Sequence, residues 1–202
     1  SRQGSSTGAA VLLPWREQVD SILLMYLGGQ NSGSAVLDLL LGDASPCGHL
    51  AETWPLALED TPCHGFYGNK GSVEYREGVY VGYRWTDLKR ERPEFAFGHG
   101  LSYTTFAISN LRADKAVMDR NDSIAFTVTV KNTGLRAGAE TVQLYIHDRK
   151  ASVDRPVKEL KGFSKVWLEP GESRDVTIAI DNSALCFYDE SQSAWRSENG
   201  LP

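Results

Sequence analysis

The side chains of this chain best equipped for acid–base or nucleophilic work are its carboxylates, and their spacing limits what they can do. Glu74 and Glu77 lie three residues apart, flanked by Tyr75 and Tyr80. Two carboxyl groups facing one bond can divide acid and base roles only if their environments push their pKa values apart. On an extended segment a three-residue separation sends the two side chains to opposite faces, so solvated or structural carboxylates are expected there. Asp38 and Asp43 bracket a predicted helix end and read as an exposed helix face followed by a loop turn. Asp148, Asp154 and Arg155 share one loop, where Asp154 and Arg155 are expected to pin the backbone, with reach toward a substrate cleft as the alternative. No catalytic dyad emerges.

Other chemistries find less support. His49, His64, His99 and His147 are scattered without the spacing of a zinc site, and neither metal nor cofactor is expected. Ser102 sits in Gly100-Leu-Ser-Tyr, which lacks the nucleophile elbow of an α/β hydrolase. Residues 28–33, Gly-Gly-Gln-Asn-Ser-Gly, open a helix but carry neither a dinucleotide fingerprint nor a phosphate-loop lysine, so they read as a tight turn. Cys47, Cys63 and Cys186 are an odd, sparse set that points to reduced thiols and a cytoplasmic setting, with a Cys47–Cys63 bridge as the alternative.

Composition narrows the classes further. The 202 residues suffice for one domain or two of about a hundred each. A net charge of −5 without a basic run gives no reason to expect a nucleic-acid partner. The longest apolar runs, residues 22–27 and 35–41, fall far short of the ~20 residues of a membrane span. The opening Ser1-Arg-Gln-Gly-Ser-Ser-Thr7 has no apolar signal core.

The elements that must position these residues change character along the chain. Residues 14–19 suit a brief helix with Pro14 near its first turn. The run 22–27 reads as a strand buried on both faces, and a helix over 35–41 follows, capped by Ser34 and ended by Gly42. Residues 43–72 are loop-rich, with one short strand expected at 49–53. Residues 73–85 favour β structure, with Gly78 and Gly82 as bends. Beyond residue 106 strict alternation takes over. Ile124, Phe126, Val128 and Val130 lead to Asn132-Thr-Gly; Val142, Leu144 and Ile146 alternate likewise; Val176, Ile178 and Ile180 follow Pro170-Gly171. That spacing predicts an immunoglobulin-like or fibronectin-type sandwich. Between the halves lies Phe95-Ala-Phe-Gly-His-Gly-Leu-Ser-Tyr-Thr-Thr-Phe106, whose Gly98 and Gly100 suggest a packed hinge with backbone angles closed to other residues. The expected division is residues 1–94, a junction at 95–106, and 107–202.

Six segments taken in order resemble the C-terminal part of family 3 glycoside hydrolases of the β-glucosidase type. They are Gly8-Ala-Ala-Val-Leu-Leu-Pro-Trp15, residues 28–33, Leu41-Gly-Asp43 with Pro46 to Pro55, Tyr75-Arg-Glu-Gly-Val-Tyr-Val-Gly-Tyr-Arg-Trp85, the junction from Phe97 to Phe106, and Val130-Lys-Asn-Thr-Gly134. The resemblance implies part of an α/β sandwich domain followed by an all-β fibronectin type III-like domain. It also implies a retaining hydrolysis of terminal β-glucosides, which needs a nucleophilic Asp and an acid/base Glu about 5–5.5 Å apart. In the family those lie on a β/α barrel and in a segment before residue 8, and neither motif is present here.

The chain therefore reads as a non-catalytic portion, predicted inactive alone, whose partners are the missing barrel and, through the intact enzyme, a β-glucoside or oligosaccharide. Its first seven residues do not read like the family's preceding strand. Its stop at Leu201-Pro202 reads as the loss of a last sandwich strand. Open sheet edges of that kind predict self-association. Tyr75, Tyr80 and Trp85 are the candidate sugar contacts, within an aromatic set that includes Trp54 and Tyr83, since flat rings with polar tips suit pyranose faces; the alternative is that they pack between domains. Trp167 and Trp195 are expected to be core or packing residues. A stand-alone carbohydrate-binding or scaffolding module is the rival to the hydrolase reading.

Overall fold

The structure is a computed structural model that describes residues 2–5, 7–68 and 71–198. The chain divides into two compact units, Ser1–Leu101 and Ser102–Pro202. The expectation about the stop at Leu201-Pro202 lies outside the described residues.

The first unit has α/β character. Strand β1 (Arg2–Ser5) pairs in parallel with β2 (Ser21–Leu24), in register from Arg2 with Ser21 to Ser5 with Leu24. The opening residues thus form a strand that their composition does not announce; pairing with β2 satisfies a backbone of low β propensity. The run 22–27 is only partly strand. It ends at Leu24, is half-buried instead of buried on both faces, and turns away at Tyr26, whose φ is 48°. The expected short helix after Pro14 is a 3₁₀ turn, Arg16–Gln18.

Helix α1 (Ser32–Leu41) starts two residues before the expected cap. Asn31 occupies the N-cap without a side-chain cap bond, and Ser34 Oγ instead donates back to the Asn31 carbonyl. At its other end Gly42 takes a left-handed φ of 82°, as a helix C-cap requires. Helix α2 (Tyr83–Lys89) corrects the β reading of residues 73–85. Trp85 and Lys89 are one turn apart, and the Lys89 Nζ lies 4.7 Å from the Trp85 ring centroid. That contact exists only in helical geometry. Gly78 and Gly82, at φ 56° and 58°, are bends as expected.

The strand expected at 49–53 is a looser antiparallel approach of two segments. Leu50 N–H donates to the His99 carbonyl and Gly98 N–H to Leu50, both at 2.8 Å, and Trp54 bridges Phe95. Gly98 has φ 81°, and a Cβ on Gly100 would stand 2.2 Å from the Gly48 carbonyl oxygen. Gly98 is therefore required by its left-handed backbone angle and Gly100 by the close backbone contact. Trp54, 2% exposed, packs edge-on against Phe95 at 6.5 Å.

The second unit is the sandwich. One sheet runs β3 (Phe106–Ala113), β4 (Ser123–Asn132), β7 (Ser173–Asp181); the other pairs β5 (Gly138–Ile146) with β6 (Glu159–Leu168), all antiparallel. A hairpin of β8 (Phe187–Asp189) and β9 (Ala194–Arg196) follows. Val130, Val142, Val166, Leu168 and Val176 form the core, one or two from each of the four strands β4 to β7. The alternation along β4, β5 and β7 supplies three of these. Trp167 and Trp195, read as packing residues, are 50% and 70% exposed. Trp167 alternates outward between buried Val166 and Leu168, while Trp195 touches Tyr188 across the hairpin.

Asn132 is fully buried at the end of β4. Its Oδ1 accepts from Thr104 Oγ1 at 2.6 Å and from Gly134 N–H at 3.1 Å; its Nδ2 donates to the carbonyls of Arg136 and Leu168 at 2.7 and 3.1 Å. All four valences of the amide are used. Asn132→Ala should strand several buried partners and destabilise the sandwich by about 3 kcal/mol. The shift of its denaturant midpoint checks this, and a loss below ~1 kcal/mol would show that the network carries little of the fold.

Candidate functional site

The candidate contacts Tyr75, Tyr80 and Trp85 belong to the segment that leaves the loop-rich stretch and enters α2. The loop of residues 61–82 is closed at its base by one side chain. Trp85 Nε1 donates to the Asp60 carbonyl at 2.9 Å across 25 residues. Asp60 is itself fixed, because the 3₁₀ turn Leu58–Asp60 is capped by Ala57 N–H donating to the Asp60 carboxylate at 2.9 Å. The adjoining Tyr83 packs on Phe97 at 5.1 Å.

The three candidates differ in what they can still offer. Tyr75 is 96% exposed, so its ring is open to a ligand. Tyr80 is half-buried, and its backbone N–H closes a turn onto the Glu77 carbonyl. Trp85 is half-buried, with its indole N–H spent on Asp60 and Lys89 against its ring. Of the wider aromatic set, Trp54 is core. Sequence reasoning did not single out Tyr67, which is 92% exposed in the same loop; only its place in a Gly-rich turn signalled it.

Glu74, Asp148 and Glu159 are held by structural partners. One oxygen of Glu74 takes both Nε and Nη2 of Arg76 at 2.5 Å, and the Arg76 guanidinium lies 4.0 Å from the Phe66 ring centroid. In the sandwich Arg155 pins its loop by ion pairs with Asp148 at 3.6 Å and Glu159 at 2.5 Å, and it also donates to the Leu185 carbonyl. Asp148 and Glu159 are bridged by this cation. Among the described residues no group of His, Cys, Asp and Glu could hold a metal ion. Among them, too, no helix is long and apolar enough to cross a membrane.

Comparison with known proteins decides the family. Residues 5–103 match the glycosyl hydrolase family 3 C-terminal domain, and residues 140–201 match the fibronectin type III-like domain. The chain belongs to glycosyl hydrolase family 3. It aligns with the C-terminal portion of that family, an α/β domain followed by a β-sandwich. It is 48% identical over 194 residues to thermostable beta-glucosidase B of Acetivibrio thermocellus, covering 96% of this chain and 26% of that protein. A β-glucosidase structure from Kluyveromyces marxianus in complex with glucose superposes with a TM-score of 0.89 at 38% identity, covering 98% of this chain and 24% of that one. A Bifidobacterium adolescentis β-glucosidase superposes at 0.88 with 40% identity, over 96% of this chain and 29% of that one. The family 3 chain described here spans about a quarter of the length of the curated relatives it matches.

Several carboxylates of the sandwich have lowered pKa values. Asp122 is lowered by its hydrogen bond from Lys115, Asp175 by those from Thr129 and then Arg112, and Asp189 by those from Ser191 and then Arg196. Backbone N–H groups lower Glu172 and Glu198, from Glu169 and Ser152 respectively. A carboxylate whose folded pKa is depressed adds stability above its unfolded pKa and loses it as pH falls through the folded value. Thermal unfolding of the sandwich should therefore be flat above about pH 5 and fall below about pH 4. Asp175→Asn should flatten that acid slope; an unchanged slope would remove Asp175 from the account. Trp85→Phe keeps the ring but frees the Asp60 carbonyl, so limited proteolysis within residues 61–82 should accelerate about fivefold. An unchanged cleavage rate would count against the latch.

Proposed function

We propose that this chain is the non-catalytic C-terminal portion of a retaining β-glucosidase acting on terminal β-linked glucosides, and that it supports an active site completed by the family's barrel. The observation that carries this reading is the 48% identity across 96% of the chain to a β-glucosidase, joined to the ion pairs that hold Glu74, Asp148 and Glu159. Hydrolysis with retention needs a free nucleophile and a proton-donating partner facing one bond. Glu74, Asp148 and Glu159 each hold a guanidinium instead. The division of labour proposed is an α/β portion through residue 94, a junction at 95–106 and a supporting sandwich over 107–202. Tyr75 supplies the ring for sugar contact, while Tyr80 and Trp85 hold the segment that presents it.

The purified chain should leave an aryl β-D-glucoside unhydrolysed above the buffer rate. The same chain mixed with a separately expressed remainder of a family 3 parent should restore turnover. Hydrolysis by the chain alone would overturn the non-catalytic reading, and silence of the mixture would count against the supporting role. In the restored enzyme Tyr75→Ala should raise KM about fivefold with kcat little changed, the signature of lost ground-state binding. An equal fall in kcat and kcat/KM would place Tyr75 elsewhere in the mechanism.

A further inference from the structure

The ion pair Glu74–Arg76 is more than a surface contact, because it lines a cleft. Phe66, Ser72, Glu74 and Arg76, all exposed, border an open cleft of about 40 Å³, room for two or three groups the size of a water molecule. Residues 72–75 adopt neither helix nor turn, and Ser72, Glu74 and Arg76, two residues apart, reach this one cleft. Val73 and Tyr75, at the alternate positions, are 80% and 96% exposed and do not line it. Phe66 arrives from the opposite side of the same loop, set by a turn in which Phe66 and Tyr67 N–H groups both donate to the Cys63 carbonyl.

The chemistry of the four groups is specific. Arg76 directs Nε and Nη2 to a single oxygen, Oε2, of Glu74. The second carboxylate oxygen and the Nη1 amine are left to serve as acceptor and donor. The side chains of Arg76 and Glu74 are 47% and 57% exposed, so both reach the cleft mouth. Ser72 adds a hydroxyl, and Phe66 adds an apolar ring held under the guanidinium. Because the pair is charge-compensated, the cleft has no net attraction for an anion. An adjacent acceptor, donor and hydroxyl beside an aromatic ring match a vicinal diol on a ring that carries C–H groups.

We propose that the Phe66–Ser72–Glu74–Arg76 cleft binds the hydroxyl edge of a neutral hexopyranose. It is a sugar subsite formed within this chain, separate from the Tyr75 ring on the alternate face. The choice of a β-linked glucose unit as ligand rests on the functional reading above; the cleft chemistry itself requires only a neutral diol.

The test is an amide NMR titration of the full chain with cellobiose, and in parallel with inorganic phosphate. Cellobiose up to ~50 mM would mostly saturate even a site with a Kd of ~10 mM. Saturable shifts at Phe66, Ser72, Glu74 and Arg76 are expected, weakened about tenfold by Glu74→Gln or Arg76→Gln, each of which removes charge-assisted hydrogen bonds. Both variants alter exposed side chains, and unchanged shifts elsewhere would verify folding. Absence of saturable shifts, or phosphate binding tighter than cellobiose, would overturn the proposal. Shifts unaffected by both variants would place the sugar elsewhere and overturn it equally. Sugar binding without restored hydrolysis in the mixing experiment would support the cleft while removing the β-glucosidase reading. Restored hydrolysis without sugar binding would remove the cleft alone.

Discussion

A buried amide with every valence used organises the second unit. Asn132 closes β4, and its side chain joins three pieces of backbone and one hydroxyl: the segment before β3 through Thr104, the turn at Gly134, the approach to β5 through Arg136, and the end of β6 through Leu168. Its own backbone adds a bond from Asn132 N–H to the Glu172 carbonyl. A primary amide removed from water costs several kcal/mol unless its donors and acceptors are all met. Shifting β4 by one residue would break all four contacts and turn Val130 out of the core. The same residue thus ties the two sheets together and sets their register, with the valine and leucine core packed around it.

The first unit rests on weaker constraints. Trp54 is its one fully buried large apolar side chain among the described residues, whereas Leu27 and Leu41 are 78% and 67% exposed. Its order comes from backbone pairing, Leu50 with Gly98 and His99 and Trp54 with Phe95, and from Arg16, which reaches Glu94 at 2.5 Å. One side-chain hydrogen bond, Trp85 to Asp60, sets the ends of the 61–82 loop. Between those ends Tyr67 and Tyr75 are presented to solvent.

Charged groups in this chain work mainly as fasteners. Arg155 gathers Asp148, Glu159 and the Leu185 carbonyl while 9% of its side chain is exposed. Arg112, Thr129 and Asp175 lace β3, β4 and β7 on the outer face. Asp175, lowered by its hydrogen bonds from Thr129 and then Arg112, is held ionised and is a poor proton donor. Glu74 differs only in its position, since its ion pair opens onto a cleft.

The sandwich was legible in the sequence because alternation and turn chemistry are local. The spacing of Val128 and Val130, of Val142, and of Val176 already names the buried face, and Pro170-Gly171 is the turn its residues demand, with Gly171 at φ 77°. Gly42 as a helix end and Gly98 and Gly100 at the junction were equally readable, as was the family, carried by the order of six motifs. The tertiary structure decided what depends on distant partners. Residues 2–5 are a strand only because β2 lies beside them. Residues 83–89 abandon their β preference for a helix that brings Lys89 onto Trp85 and allows the Trp85 indole to reach Asp60. Phe66 meets Arg76 across ten residues of loop, a contact no periodicity encodes. Local patterns determine which residues face inward along an element; which elements meet, and which side chains share a cleft, is settled by long-range hydrogen bonds and packing that linear spacing does not contain.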